Sequence, residues 1–459
     1  MHDLDKKYWT IRTMKSPRLA AISLTPFKSY QSVRIPIEPL TVLIGRNASG
    51  KSNALDAFEV LGRLARGLEI RDALDGSLEG LAPIRGGSSG LAPAGSEKRA
   101  IKLAVEVEDP DYGLLTMETE IAVGPEPKII SERLNLAGVR GKKSFTVFES
   151  VPQDDSWRGD IDARVYSGKR GVNPRTTLRS SQLLTFQVPQ RLDTGSAAKR
   201  LVSDLCNRVL ASLLGVFHLD PIPSSMRQYV PEKDTDLHRD ARNLSAVLAH
   251  LKDSGAPDTW ARLTSAIQRL PEHPISGVEF VSTSFGDVMA GIRESFDDHV
   301  EIIPARQMSD GMLRMLAITT SILGGASSLA ISPSLSGAES TPTLLIEELE
   351  NGLHPSQAHA LLQLIVESIS SGEQQLVVTT HSPALLNALS GEQHRGVLIV
   401  SRDKSSGWSS VSRLIDLPGY HRALASEPLG SLVENGRISE AFESPVIARE
   451  SIDDFLRMI

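Results

Sequence analysis

The sequence predicts an α/β protein with a mixed or parallel core sheet around a glycine-rich loop, a β-rich subdomain and an inserted helical lobe. Three observations lead to this expectation. An apolar strand-like run precedes the glycine-rich segment 45–52, and an amphipathic helical pattern follows it. Alternating residues at 101–108 and 114–123 predict a hairpin. From about residue 190, amphipathic segments separated by proline-containing breaks predict helices.

Length and composition are those of a globular protein with more than one lobe. The chain has 459 residues, of which 40% are hydrophobic and 23% charged, which argues against a fibre or a disordered chain. The single cysteine, Cys206, excludes an internal disulfide and a cysteine-rich zinc site. We find no secretory signal and no unbroken apolar span of membrane length, so we expect a cytoplasmic protein without a membrane segment.

Changes of pattern divide the chain into four segments. Residues 1–185 are expected to form the N-terminal half of the core with the β subdomain, and residues 186–300 the helical lobe. Residues 301–400 complete the core, and residues 401–459 form a closing segment. There is no internal repeat and no sustained heptad pattern, so a long coiled-coil arm is not expected.

Residues 45–52, GRNASGKS, fit the pattern GxxxxGK[ST] between a predicted strand and a predicted helix. Gly45 and Gly50 let the backbone form a nest whose N–H groups point at phosphate oxygens. Lys51 supplies a positive charge to the β and γ phosphates, and Ser52 offers a hydroxyl to Mg²⁺. We therefore expect ATP and Mg²⁺ to bind here. The predicted ATP contacts in this loop are Gly45, Arg46, Asn47, Ala48, Ser49, Gly50, Lys51, Ser52 and Asn53.

The segment TLLIEELE carries two acids, Glu347 and Glu348, at the end of an apolar strand. Neighbouring strand residues point to opposite faces. One carboxylate can therefore address the water shell of Mg²⁺ while the other faces the water that attacks the γ-phosphate. Acidic strand ends are common, so this assignment depends on the presence of the phosphate-binding loop.

Two further segments are candidates for the same site. Ser309 and Gly311 precede an apolar helix, whose N-terminus is a second candidate anion site. A simple helix cap by Ser309 or Asp310 explains the same pattern. His381 follows the apolar strand QLVVTT, at the edge where open α/β sheets bind ligands. It can hydrogen-bond a γ-phosphate or order the attacking water, although a lone histidine is often structural.

In this order, GRNASGKSN, SDGMLR, IEELENGLHP and TTHSP resemble the Walker A, signature, Walker B with D-loop, and switch-histidine motifs of ABC-type ATPases. ENGLHP after paired acids, and SDG in place of SGG, are similar to the SMC/RecF/OLD-like branch of bacterial AAA ATPases of DNA repair and anti-phage defence. Weaker similarities in LAAISLTPFKSY, DARNLSAVLAHL and PLGSLVENGRI extend the resemblance over nearly the whole chain.

This resemblance implies an ABC-ATPase head and a head-to-tail homodimer or higher assembly with ATP buried between subunits. It implies that Glu347 completes the Mg²⁺ site with Ser52, that Glu348 polarises water and that His381 senses the γ-phosphate. It also implies contacts to ATP from the signature segment of a second copy. Those contacts are expected from Ser309, Asp310 and Gly311.

The sequence departs from the family pattern in three places. Ala48 replaces the usual third glycine of the loop, Glu347 replaces the commoner aspartate, and the Q-loop glutamine is either Gln182 or Gln187. There is no CxxC zinc hook. The residues after His381 lack the acidic cluster of a Toprim nuclease, so a full OLD-type nuclease is disfavoured.

The function implied is a Mg²⁺-dependent ATPase acting as an ATP-gated dimeric switch, in anti-phage defence, with a separately encoded nuclease or toxin as effector. One alternative is a RecF-like DNA repair ATPase. Another is a non-hydrolysing scaffold that depends on ATP binding. A transport ATPase subunit is disfavoured because the LSGGQ-type signature is missing.

DNA is a further candidate partner. The stretch from residue 163 to 192 has no acidic residue and several basic ones, although the net charge of the chain is −7. A solvated loop accounts for such a stretch. The hypothesis is that two such loops line a groove for the DNA backbone in the closed dimer. The candidate DNA contacts are Arg164, Lys169, Arg170, Arg175 and Arg179.

Overall fold

The computed structural model describes residues 16–76, 82–93, 99–138, 144–152, 159–193, 195–253, 257–269, 274–296, 299–331 and 339–435. The start of the predicted first segment and the end of the predicted closing segment lie outside the described residues.

Strands of the described chain fall into three sheets. The strands are β1 (Arg18–Thr25), β2 (Val33–Pro36), β3 (Leu40–Ile44), β4 (Ala100–Asp109), β5 (Gly113–Ala122), β6 (Lys128–Gly138), β7 (Phe145–Ser150), β8 (Asp160–Val165), β9 (Arg175–Arg179), β10 (Val216–Leu219), β11 (Val230–Pro231), β12 (Ile275–Ser282), β13 (Asp287–Ser295), β14 (Val300–Pro304), β15 (Thr343–Ile346), β16 (Gln375–Thr379), β17 (Val397–Arg402) and β18 (Ser409–Arg413).

Helices cover the sheets and connect them. The α-helices are α1 (Lys51–Ala65), α2 (Ile70–Asp75), α3 (Leu184–Arg191), α4 (Ala197–Leu214), α5 (Pro223–Met226), α6 (Leu244–Asp253), α7 (Pro257–Gln268), α8 (Asp310–Leu323), α9 (Pro355–Ile369), α10 (Pro383–Asn387), α11 (Tyr420–Ser426) and α12 (Leu429–Glu434). No described helix has both the length and the apolar surface to cross a membrane.

The core is a six-stranded sheet in the order β10–β15–β16–β3–β17–β18. All neighbouring pairs are parallel except β17 and β18. Every residue of β3, β15 and β16 is buried, as expected for parallel strands covered on both faces. Leu43 packs with the apolar face of α1, whereas Val42 and Ile44 pack with α8 and α9. The predicted α/β core is confirmed.

The predicted β-rich subdomain is an eight-stranded antiparallel sheet in the order β2–β1–β4–β5–β6–β7–β8–β9. Its central hairpin, β4 and β5, is the one predicted from alternation, and the turn lies between Asp109 and Gly113. The Asp109 side chain accepts hydrogen bonds from the backbone N–H groups of Asp111 and Tyr112, which closes the turn.

The predicted helical lobe, residues 186–300, is not wholly helical. Strand β10 lies within this range and pairs in parallel with β15, so it belongs to the core sheet. Strands β11 to β14 form a small antiparallel sheet that packs against α6 and α7. Helix α3 begins at Leu184, before the predicted boundary. Strands of two to four residues, such as β10 and β11, are too short to give a periodic signal.

Candidate active site

Residues 45–50 connect β3 to α1 at the carboxyl edge of the core sheet. Gly45, Ala48 and Gly50 have positive φ angles of 153°, 61° and 118°. A Cβ atom at Gly45 would overlap the carbonyl oxygen of Val400, and one at Gly50 would lie 2.6 Å from Ser409 Oγ. Both glycines are therefore required by contacts as well as by conformation. A backbone that changes between positive and negative φ angles turns successive N–H groups towards one centre.

Two neighbouring segments support the loop. Tyr30, which follows β1, donates its hydroxyl proton to the carbonyl of Gly50 at 2.9 Å. Ser409 Oγ at the start of β18 donates to the carbonyl of Ser49 at 2.6 Å. Asn53, a predicted ATP contact, donates through Nδ2 to Ser29 Oγ at 2.8 Å. The side chain of Asn53 therefore has a partner within the loop's own support.

Lys51 lies inside the curve of the loop. Its Nζ donates to the carbonyl oxygens of Gly45 at 2.7 Å and Arg46 at 3.0 Å, and the residue is only 7% exposed. Burial lowers the pKa of Lys51, because a charged ammonium group loses its hydration. Three nearby carboxylates oppose this effect without cancelling it. They belong to Glu348, Glu350 and Glu347.

The proposed metal ligands lie together. Ser52 Oγ donates to Glu347 Oε2 at 3.4 Å, although 295 positions separate the two residues in the chain. A hydroxyl and a carboxylate suit Mg²⁺, which takes its other ligands from phosphate and water. The described residues contain no cluster of three or more histidine, cysteine or acidic side chains for a metal. Ser49 Oγ is buried and has no hydrogen-bond partner in the described part of the chain, which fits a loop that receives a phosphate oxygen.

Arg85 is a site residue that sequence reasoning missed. Its Nη2 donates to Glu347 Oε1 at 2.7 Å and to the carbonyl of Ser52 at 3.0 Å, while Nε donates to Asp56 Oδ1 at 2.9 Å. Lys28 Nζ binds the other oxygen of Asp56 at 2.6 Å. Arg85 comes from the glycine-rich segment IRGGSSG. The sequence offered one signal for this residue, an arginine between the predicted helix after residue 52 and the predicted β hairpin.

The two acids after β15 separate because of a turn. The strand ends at Ile346, so Glu347 and Glu348 lie beyond it. Glu348 has a φ of 48°, and its backbone N–H donates to Thr379 Oγ1 at 2.8 Å. Our prediction that strand alternation would separate the two carboxylates is therefore wrong in its cause. Glu347 is half-buried beside Ser52, whereas Glu348 is exposed.

His381 lies just past the end of β16, which is the parallel neighbour of β15. Burial and the charge of Lys51 lower the pKa of His381, so the imidazole is neutral near pH 7. The backbone N–H of His381 donates to Glu350 Oε1. The strand end therefore brings the predicted switch histidine into the electrostatic environment of the phosphate-binding loop.

Ser309 caps helix α8. Its Oγ accepts a hydrogen bond from the backbone N–H of Met312 at 3.2 Å, so the capping alternative is confirmed for this residue. Asp310 forms a 2.6 Å ion pair with Arg227 of its own chain. Both Ser309 and Asp310 are exposed. Their contact with the ATP of a second copy stays a prediction.

Gly311 has a different environment from its two neighbours. It is buried, and a Cβ atom at this position would overlap the carbonyl oxygen of Gly352. Gly352 lies in the ENGLHP segment, the D-loop of the resemblance, and has a φ of 76°. The signature helix and the turn after β15 are therefore in backbone contact within one chain.

Both candidate Q-loop glutamines bind the main chain. Gln187 is buried, and its side chain exchanges two hydrogen bonds of 2.8 Å with the backbone of Arg179. It also donates to the carbonyl of Gln182 at 3.0 Å. Gln182 donates to the carbonyl of Gly67 at 2.9 Å, just after α1. The side-chain amide of Gln187 therefore stabilises the turn between β9 and α3.

A partly buried cluster that sequence reasoning also missed lies beside Glu347. His218 on β10 has Nδ1 3.3 Å from Glu59 Oε2 and Nε2 3.9 Å from Glu347 Oε1. Glu59 on α1 also pairs with Arg239 at 2.7 Å and with Arg63. Burial favours the neutral acid, but the hydrogen bond from His218 and the two arginine charges lower the pKa of Glu59 to about 2. This cluster connects α1, β10 and the segment before α6.

The candidate DNA residues lie on an edge hairpin, and our prediction of a loop is wrong for three of them. Arg164 is half-buried on β8, and Arg175 and Arg179 are exposed on β9, the last strand of the eight-stranded sheet. Lys169 and Arg170 are exposed in the connection between these strands. Arg175 and Arg179 share a strand face, because side chains alternate along a strand.

A buried parallel sheet, a phosphate-binding loop opening on a helix, and a paired hydroxyl and carboxylate together define a P-loop nucleotide-binding protein. The chain belongs to the family described as "AAA domain, putative AbiEii toxin, Type IV TA system", whose sequence model matches residues 40–387. The predicted membership of the AAA ATPases is confirmed.

Several solved structures are similar to the chain. An SMC head bound to the C-winged helix domain of ScpA is 15% identical, with a TM-score of 0.49, over 86% of this chain and 97% of that one. The SMC head domain from Thermotoga maritima is 14% identical, with a TM-score of 0.41, over 86% and 98%. An Smc head with a coiled coil and joint from Pyrococcus yayanosii is 12% identical, with a TM-score of 0.44, over 92% and 100%. A comparison with curated proteins finds no match.

Proposed function

We propose that the protein is a Mg²⁺-dependent ATPase that acts as an ATP-gated dimeric switch. The observation that carries this proposal is the 3.4 Å contact between Ser52 and Glu347. It joins the phosphate-binding loop to the acidic strand end, the two elements that phosphoryl transfer requires. We expect the protein to work in the cytoplasm.

The residues divide the chemistry between them. Lys51 and the loop N–H groups bind the phosphates of ATP, and Ser52 with Glu347 holds Mg²⁺. When bound, Mg²⁺ offsets the negative charge of the β and γ phosphates. Glu348 orients a water molecule and accepts its proton while the water oxygen bonds to the γ-phosphorus. The bond from that phosphorus to the β–γ bridging oxygen breaks, which releases ADP and phosphate.

Exposure around the loop favours a site that is completed by a second copy. Arg46, Asn47, Ala48 and Glu348 are all exposed in the single chain, although the chemistry requires exclusion of bulk water. In the proposed head-to-tail dimer, Ser309 and its two neighbours from the other copy cover the ATP. ATP binding would then close the dimer, and hydrolysis would open it.

The partner of the switch is proposed as a separately encoded effector, a nuclease or toxin, in anti-phage defence. The alternatives remain a RecF-like repair ATPase and a scaffold that binds ATP without hydrolysing it. Phosphate release separates the scaffold from the other two.

The test is Glu348→Gln, which keeps the shape of the side chain and removes its basicity. We expect phosphate release to fall at least about a hundredfold, since general base catalysis contributes this much. We also expect an ATP-bound dimer to accumulate, measured by light scattering after size exclusion. Glu373→Gln, at an exposed position before β16, is the matched control and should behave as the unmodified protein. A Glu348→Gln protein that hydrolyses ATP at the full rate rejects the assignment.

A further inference from the structure

We infer that Glu350 is a positioning residue, which sets the place of His381 by accepting the hydrogen bond of its backbone N–H. This inference rests on the proposed ATPase function. Glu350 Oε1 is the acceptor, and the bond joins the turn after β15 to the loop after β16. Neither the family match nor the motif pattern gives Glu350 a role.

Three hydrogen bonds join these two segments. Glu348 N–H donates to Thr379 Oγ1 at 2.8 Å, and Leu349 N–H donates to the carbonyl of Thr379 at 3.0 Å. The third runs the other way, from the N–H of His381 to the side chain of Glu350. The first two hold the end of β16. Only the third reaches the histidine itself.

The side chain of Glu350 is costly to keep in this position. Its second oxygen, Oε2, is buried and has no hydrogen-bond partner among the residues that the structure describes. A buried carboxylate oxygen without a partner ordinarily lowers the stability of a fold. Glu350 Oε1 supplies an acceptor at the place where the backbone N–H of His381 points, and this position, not the charge, is what the inference requires.

Glu350 also connects His381 to the signature helix. The turn that carries Glu350 continues into Gly352, whose carbonyl lies against Gly311 at the start of α8. A displacement of α8 by a second copy would move this turn and, through Glu350, the histidine. The hydrogen bonds of Lys51 go to the carbonyls of Gly45 and Arg46 and do not pass through this route, although the charge of Glu350 acts on Lys51 through space. The residue should therefore affect turnover more than ATP binding.

Two conservative substitutions separate position from charge. Glu350→Gln keeps an acceptor oxygen in place and loses the charge. Glu350→Asp keeps the charge and withdraws the carboxylate from His381 by one methylene. We expect the glutamine variant to keep kcat within about threefold and the aspartate variant to lose about tenfold or more, since misplacing a catalytic group by about 1 Å has effects of this size. The KM for ATP should stay within about twofold for Glu350→Asp, which keeps the charge that acts on Lys51.

The route through His381 is tested with a double-mutant cycle. The loss in kcat for Glu350→Asp with His381→Ala should equal the loss for His381→Ala alone, because the histidine that Glu350 positions is already absent. Additive losses would overturn the inference, as would an active aspartate variant beside an inactive glutamine variant. An unmodified protein that releases no phosphate would instead reject the proposed ATPase function.

Discussion

Two residues of the site that are not glycine adopt left-handed backbone conformations. Ala48 in the phosphate-binding loop has a φ of 61°, and Glu348 after β15 has a φ of 48°. Each costs on the order of 1 kcal/mol relative to glycine, because Cβ crowds the following carbonyl. Strain of this kind is kept where the surrounding contacts fix the backbone, as they do at functional sites.

The strain at Ala48 predicts opposite results for two substitutions. Ala48→Gly should change the free energy of unfolding by less than about 0.5 kcal/mol, because relief of strain offsets the greater freedom of the unfolded chain. Ala48→Val should destabilise by more than about 1 kcal/mol, because a β-branched residue is worse in this conformation. Urea denaturation measures both. Equal stability of the alanine and valine proteins would mean that the loop does not have this backbone conformation.

Single residues of the site were predictable where a motif fixes both residue type and position. Ser52 and Glu347 were predicted to share a metal site, and they lie in contact. Arg85 was not predicted, because its partners Glu347 and Asp56 come from distant elements and its own segment has no periodicity. Glu350 was not predicted, although it lies in the ENGLHP motif. Its hydrogen bond to His381 forms because β15 and β16 are neighbours in the sheet, which the sequence does not show.

Among the elements, the turn after β15 and helix α8 are joined by a glycine contact. Gly311 lies so close to the carbonyl of Gly352 that no side chain fits between them. Within a helix, replacing glycine by alanine ordinarily stabilises by up to about 1 kcal/mol. At Gly311 the overlap with backbone atoms should reverse this sign.

We therefore expect Gly311→Ala to destabilise the protein by about 1–3 kcal/mol, the usual cost of overpacking, even without ATP. Thermal or urea unfolding of the isolated protein measures this. The matched control is Gly391→Ala, at an exposed position with no atom near the added Cβ, which should leave stability unchanged or slightly raised. A stabilised Gly311→Ala protein would contradict the contact and leave only a role at the dimer interface.

Long periodic elements were predicted, and short ones were not. The sequence pattern gave α1, α4, α8 and the β4–β5 hairpin, because each carries several turns or alternations of apolar residues. Strand β10 was missed, although it completes the core sheet beside β15. Its four residues follow directly after α4, where the helical pattern dominates. Tertiary pairing, which sequence periodicity does not encode, decides such segments.

At the scale of the whole molecule, the hairpin of β8 and β9 carries exposed basic residues, although the net charge of the chain is −7. We expect DNA binding through this hairpin to be independent of base sequence and sensitive to salt. Arg170→Glu with Arg175→Glu should lower DNA affinity at low salt by about tenfold or more. Lys404→Glu with Arg422→Glu, two other exposed positions, is the matched control. Unchanged affinity after the hairpin reversal would remove DNA from the proposal.

In the proposed dimer, each ATP site is built from two copies of the chain. Lys51→Ala disables the phosphate-binding loop of one copy. Ser309→Asp keeps a good helix cap but places a negative charge against the ATP bound by the other copy. Each variant alone should be inactive, because every dimer then lacks one half of each site.

Mixing the two variants is the most direct measurement. In equal mixture about half of the dimers contain both variants, and one of their two sites is intact, so phosphate release should return to about one quarter of the unmodified rate. Dilution should weaken this recovery, because it separates the subunits. A mixture that stays as inactive as its components would contradict a site shared between two copies.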